Sequence, residues 1–206
     1  MPSLPINWKY LEATYWEVYS WDVHIINIQN DMEKTEYIKA NSVAFSGHRT
    51  IAENCKDEIR MKLRGKIRLL YALGFTNFFC GMALGFDMLA AEEVISLKAE
   101  LPKLKLIAVI PFEGQSERWS TKEQDRYKSI LAKVDDSILL CRYYFKGCLL
   151  RRNDYMLSHS SGLIAFFDGT PKGGTFYTCR KAKTMGMDII NPVSYTHLTL
   201  PTKLEV

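Results

Sequence analysis

The sequence predicts an α/β domain built in three layers, with helices on both faces of a mostly parallel sheet. Three observations predict it. Short apolar runs alternate with helical periodicity from residue 40 to residue 192. The runs are continuous in apolar residues, as strands covered on both faces require. Glycine-bearing loops recur directly after the runs. Repeated strand–helix–strand units cross over right-handed and lay down a parallel sheet, so the predicted architecture is Rossmann-like.

The strand runs, in order, are Ser42–Ser46, Phe75–Cys80, Leu104–Ile110, Ser137–Cys141, Gly162–Phe167 and the short Asp188–Ile190. Between the first two, Ile59, Leu63, Ile67 and Leu70 fall at i, i+4, i+8 and i+11, which is one face of a helix. After the second run, Ala90, Val94, Leu97 and Leu101 repeat the pattern. Ser120–Lys133, Leu149–Ser160 and Thr175–Met185 supply three more helices. Gly74 and Gly186 stand where helix C-terminal glycines belong.

Of the 206 residues, 47% are hydrophobic and 24% charged, which is globular composition and excludes wholesale disorder. No uncharged apolar run approaches the ~20 residues that a bilayer span needs. The five cysteines are odd in number and form no C-x-x-C pair. That pattern argues for reduced thiols in a cytosolic protein, against a disulfide framework and against a zinc knuckle, so no metal is expected.

The net charge of +4 is uneven: residues 1–31 carry −3, and residues 32–192 carry +7. Residues 1–39 read as an N-terminal extension holding Trp8, Trp16 and Trp21. It is either an added element docked by its aromatics or the product of a start codon placed upstream of Met32. Nothing in it has the plan of a signal peptide. Residues 193–206, with Val193-Ser-Tyr-Thr-His-Leu-Thr-Leu-Pro-Thr202, read as translated sequencing adapter. The expected domain is therefore residues 40–192.

In such sheets ligands sit beyond the carboxyl ends of the strands, where the strand order reverses. The loops there carry the candidate site. After the first strand comes Ser46-Gly47-His48-Arg49, a tight turn with a planar guanidinium suited to phosphate or carboxylate. After the second come Gly81, Ala83, Gly85 and Asp87, read as a backbone cradle aimed at a phosphate; Asp87 either caps the next helix or accepts a ribose hydroxyl. After the third come Glu113 and Trp119, the latter a stacking surface for a base or an anchor for its loop.

Arg152 and Asn153 lie in the helix before the fifth strand, where at most one of Arg151 and Arg152 faces the pocket. After the fifth strand, Asp168, Gly169, Gly173, Gly174 and Thr175 lead into a helix N-terminus, again an anion position. Neither a P-loop nor G-x-G-x-x-G is present. Cys80 and His159 read as packing residues, and Tyr143, Tyr144 and Phe145 as a loop anchor and a candidate homodimer surface.

S-G-H-R, C-G-M-A-L-G-F-D-M-L-A-A-E, I-P-F-E-G-Q…W and R-N-D-Y-M…G-L-I-A-F-F-D-G…G-G-T follow one another in the order found in the YpsA-type branch of the SLOG superfamily. The sequence resembles that branch from Ser42 to Pro192. Its second-strand motif is also similar to that of DNA-processing protein A, and Arg152-Asn153 with Gly-Gly-Thr is similar to that protein and to the Lonely Guy phosphoribohydrolases. The resemblance implies a Rossmann-like domain that binds a nucleotide or nucleotide-derived small molecule, of the NAD, ADP-ribose or nucleoside phosphate type. It also implies a bacterial protein linked to cell division or stress. One departure matters: Thr178 stands where the Lonely Guy pattern has a glutamate that supports N-glycosidic hydrolysis.

Three functions are therefore carried forward. The first is a binder or sensor of a nucleotide-derived ligand, with no other cofactor assigned. The second is a nucleotide hydrolase drawing on Asp87, Glu92, Glu113 or Asp168 as acid or base. The third and weakest is a single-stranded DNA-binding module, motivated by the basic helix Lys56, Arg60, Lys62, Arg64, Lys66, Arg68.

Overall fold

The computed structural model describes residues 37–193. The expectations for residues 1–36 and 194–206 lie outside these residues. Six strands and five helices alternate: β1 Ser42–Gly47, α1 Lys56–Ala72, β2 Asn77–Cys80, α2 Phe86–Leu97, β3 Lys105–Ile110, α3 Thr121–Leu131, β4 Asp136–Leu139, α4 Cys148–Ser158, β5 Gly162–Phe166, α5 Gly173–Thr184 and β6 Asp188–Ile190. The sheet order is β4-β3-β2-β1-β5-β6, and every pairing is parallel. This is a Rossmann-like α/β fold.

Two cores flank the sheet because successive strand residues point to opposite faces. Val43 and Phe45 of β1, Phe78 and Cys80 of β2, and Leu106 and Ala108 of β3 pack with Ile59, Leu63 and Ile67 of α1 and with α2. The intervening Ala44, Phe79, Ile107 and Val109 pack on the other side, with Met156 and Leu157 of α4 and Ala182 of α5. Burying each such large side chain stabilises the fold by roughly 1.5–3 kcal/mol.

β4 and β6 depart from the expectation that all six strands are covered twice. They are the sheet edges, and β4 alternates half-buried with exposed residues while β6 buries only Ile190. Helix α2 is buried almost all round, with Ala90 and Ala91 permitting close approach to the strands. The helix predicted to reach Leu101 ends at Leu97, and Leu101 N–H bonds back to the Leu97 carbonyl beyond its end. Gly74 and Gly186 close α1 and α5 with positive φ, as predicted. Among the described residues no helix is long and apolar enough to cross a membrane.

The basic face of α1 is largely consumed within the fold. Arg60 bridges Glu92 at 2.6 Å and also Glu93; Arg64 pairs with Glu93, and Arg68 with Glu100 at 2.8 Å. Lys56 pairs with Glu53, and Lys62 with Glu58. Glu92 also takes Arg126 of α3 at 2.6 Å. Glu92 is thereby corrected from a candidate acid or base to a structural ion-pair partner. Two arginines hold its carboxyl below the usual carboxylate range against the opposing effect of burial.

Candidate functional site

The strand order reverses at β1, which lies between β2 and β5. Beyond the carboxyl ends of these strands opens a cleft of about 480 Å3. It gathers eleven of the predicted residues: Ser46, Gly47, His48, Arg49, Ala83, Asp87, Arg152, Asn153, Gly173, Gly174 and Thr175. Residues at the N-termini of three helices, α2, α4 and α5, line it. The Phe86, Met88, Cys148 and Leu150 N–H groups are bonded to nearby backbone carbonyls, so among the described residues the α5 N-terminus is the one that offers a run of open N–H groups with the positive end of its dipole.

Arg152 and Asp87 form the buried floor, at 5% and 4% exposure. Arg151 is exposed, so the adjacent pair divides as predicted. Arg152 Nε donates to Asn153 Oδ1 at 2.8 Å, and Nη1 donates to the Gly81 carbonyl. Nη1 lies 3.9 Å from Asp87 Oδ2, an attraction across a gap rather than a hydrogen bond. Nη2 is left without a hydrogen-bond partner among the described residues.

Asn153 is held in turn. Its Nδ2 donates to Thr178 Oγ1, which donates to the Gly174 carbonyl, each at 2.8 Å. Thr178, the departure from the Lonely Guy pattern, thus ties α4 to the start of α5.

Asp87 Oδ2 accepts the Ala83 N–H at 3.3 Å. Asp87 therefore buttresses the loop before α2 and does not cap the helix. Burial pushes its carboxyl up to about 6, and the lowering influences of Arg152, the Ala83 N–H and Arg49 only partly offset that. Cys80, fully buried behind it, donates its thiol to the Asp87 carbonyl at 3.2 Å, and burial pushes that thiol up as well. Both Cys80 and His159 are packing residues; the His159 ring stacks on Tyr155 at 4.0 Å.

Six predicted residues do not line the cleft. Gly81 and Gly85 stand at close approaches between chain segments. A Cβ on Gly81 would meet the Arg152 guanidinium at 2.0 Å, and one on Gly85 the Arg49 carbonyl oxygen at 2.3 Å. Asp168 and Gly169 are exposed. Asp168 Oδ1 accepts the Thr170 N–H at 2.9 Å, which with the His48 ring holds its carboxyl below the usual range. His48 Nε2 lies 3.1 Å from both the Asp168 backbone nitrogen and Asp168 Oδ1; a bare Nε2 accepts from the former, and an Nε2 that carries hydrogen donates to the latter. Glu113 is exposed, 3.9 Å from Arg142. Trp119 is half-buried, packing edge-on against Tyr127 at 5.4 Å and against the core, the arrangement of a loop anchor.

Sequence reasoning missed Lys172, Gly147, Cys148 and the rim residue Tyr144, which also line the cleft. Lys172 precedes the glycines of its loop and so matches no P-loop pattern. Gln115 was a further omission, although it stands inside the quoted P-F-E-G-Q motif. Its Nε2 donates to the Met82 carbonyl at 2.7 Å and fixes the loop where Met82 holds φ 54°, a conformation costly to a residue with a side chain.

The YpsA family model, described as the YspA SLOG family, matches residues 48–197. The chain belongs to this family. A UPF0398 protein of Brevibacillus brevis is 35% identical over 105 residues, which are 48% of this chain and 56% of that protein. A UPF0398 protein of Bacillus thuringiensis is 31% identical over 139 residues, 66% of this chain and 75% of the relative. This SLOG chain spans little more than half the length of the first relatives it matches, at 56% and 55%.

Among solved structures, DNA processing protein A of Helicobacter pylori, described by its single-stranded DNA binding mode, superposes with a TM-score of 0.52. It is 23% identical, over 76% of this chain and 67% of its own. The likeness is one of fold.

Proposed function

We propose that the cleft binds a nucleotide or a nucleotide-derived anion. One observation carries the reading: the buried Arg152 guanidinium, whose Nη2 has no hydrogen-bond partner among the described residues, lines the cleft together with Arg49, Lys172 and the first residues of α5. A guanidinium this far from water attracts an anion more strongly than a surface arginine does. The open N–H groups at the α5 N-terminus supply further donors of the kind phosphates accept. A melting-temperature screen with adenine nucleotides, NAD and ADP-ribose tests it. A ligand at 100 times its Kd is expected to add about 2.7 kcal/mol of stability; no shift with any of them rejects the reading.

A second reading, hydrolysis of a nucleotide, has one observation in its favour. Asp87 is the one carboxylate among the described cleft-lining residues, and burial sets its carboxyl at about 6, within range of a general acid or base. Turnover of nucleoside monophosphates to free base or ribose phosphate, lost in Asp87→Asn, is the expected result; inert substrate with the intact protein removes it. A single-stranded DNA module draws on the fold likeness alone, since the α1 arginines that favoured it already hold glutamates.

A further inference from the structure

We propose that Tyr144 is the stacking platform for the aromatic base of the ligand, which makes the ligand a base-bearing nucleotide and not a sugar phosphate or a simple dianion. The proposal rests on the cleft-binding reading above. The cleft divides chemically into two parts. Arg49, Arg152, Lys172 and the Gly173–Thr175 turn make its cationic, donor-rich part. Tyr144, Leu149 and Leu150, where the chain enters α4, make its apolar part. A ligand that satisfies both carries an anion and a flat apolar group.

Two aromatic rings line the cleft, and only one is available. His48 packs edge-on against Phe166 and tilted against Phe167, both at 5.8 Å, with Nε2 engaged by Asp168. Tyr144 is 65% exposed. Its described ring contact is with Phe112, at 5.2 Å and 79°. In an edge-to-face pair of this kind at least one face of each ring stays uncovered. Phe112 therefore fixes the Tyr144 ring without occupying it, so little side-chain freedom is lost when a base settles on it. Trp119, to which the sequence offered this role, packs against the core and Tyr127 and does not line the cleft.

The test is a calorimetric titration of AMP and ribose 5-phosphate, which differ by the base, into the intact chain and into Tyr144→Ala, Tyr144→Leu and Tyr144→Phe. Tyr144→Leu retains apolar contact with Phe112 and removes the π face, and unchanged melting temperatures verify that the variants fold. The expected result is that AMP binds the intact chain more tightly than ribose 5-phosphate. The Ala and Leu variants then lose about five- to hundredfold for AMP and nothing for ribose 5-phosphate, and the Phe variant keeps AMP affinity. Equal loss for both ligands, or undiminished AMP binding in the Ala and Leu variants, overturns the stacking role and leaves the cleft reading standing. Failure of both ligands to bind the intact chain overturns the two together.

Discussion

Arg152→Met is expected to lower the free energy of unfolding by about 3–5 kcal/mol at pH 8, the range for removing one partner from a buried charge pair. The guanidinium satisfies the Gly81 carbonyl and Asn153 Oδ1 and faces Asp87. Methionine fills much of the same volume, so the loss is electrostatic and not a cavity effect. It leaves Asn153 Oδ1 without its donor, the Gly81 carbonyl with only the long 3.5 Å bond from Gln115 Nε2, and a buried carboxylate without its nearest countercharge. The pH dependence identifies the last component. The Asp87 carboxyl sits at about 6 in the folded chain, above its value of about 3.9 when unfolded. The folded state thus binds the Asp87 proton more tightly, and stability falls as pH rises from about 4 to about 6. Without Arg152 the folded value moves higher still, which extends that decline toward pH 8. Urea unfolding at pH 5 and pH 8 is therefore expected to show the variant's deficit widening with pH. A deficit under 1 kcal/mol, or one equal at both pH values, contradicts the assignment.

The layers of this fold were legible because each central strand is a run of residues buried on both sides, and such runs survive without knowledge of the partners. Val43, Ala44 and Phe45 could be read as strand whichever face each one took. The edges were harder, since β4 owes its half-exposure to its place in the sheet and not to its composition. The site divides in the same way. Loops directly after strands had to lie at one end of a parallel sheet, so Arg49 and Gly174 were within reach of sequence reasoning.

Tyr144 was not, because the loop from β4 reaches the cleft only through the crossover of α4 from the sheet edge to β5. Trp119 and Tyr144 follow consecutive strands and are both aromatic. What separates them is Tyr127, eight residues beyond Trp119, which takes that ring into the core. Charge misled for a related reason. The surplus of +7 on residues 32–192 counts α1 fully, yet Glu92, Glu93 and Glu100 meet its arginines from α2 and the turn after it. Such pairs join residues about thirty positions apart, which a charge count along the chain does not register.

Glycine counting misleads in the same manner, and the contrast between two loop glycines makes that measurable. Gly85→Ala is expected to cost about 3–5 kcal/mol, from backbone strain and overpacking together. Gly85 has φ +83°, which L side chains rarely adopt, and its added Cβ would lie 2.3 Å from the Arg49 carbonyl oxygen and 2.4 Å from that of His48. Both obstacles are backbone and cannot swing aside. The His48 carbonyl also accepts the Phe86 N–H at 3.1 Å, so relief of the clash has to part the β1 loop from the start of α2. That movement carries Arg49 with it, and ligand affinity is expected to fall along with stability. Gly174→Ala, by contrast, meets nothing within 4 Å and sits at no positive φ. It is expected to change stability by less than about 0.5 kcal/mol, as surface substitutions do. Thermal and urea unfolding of the two variants side by side decide the matter. If Gly174→Ala proves as damaging as Gly85→Ala, the close packing of the first two loops is not what requires glycine here.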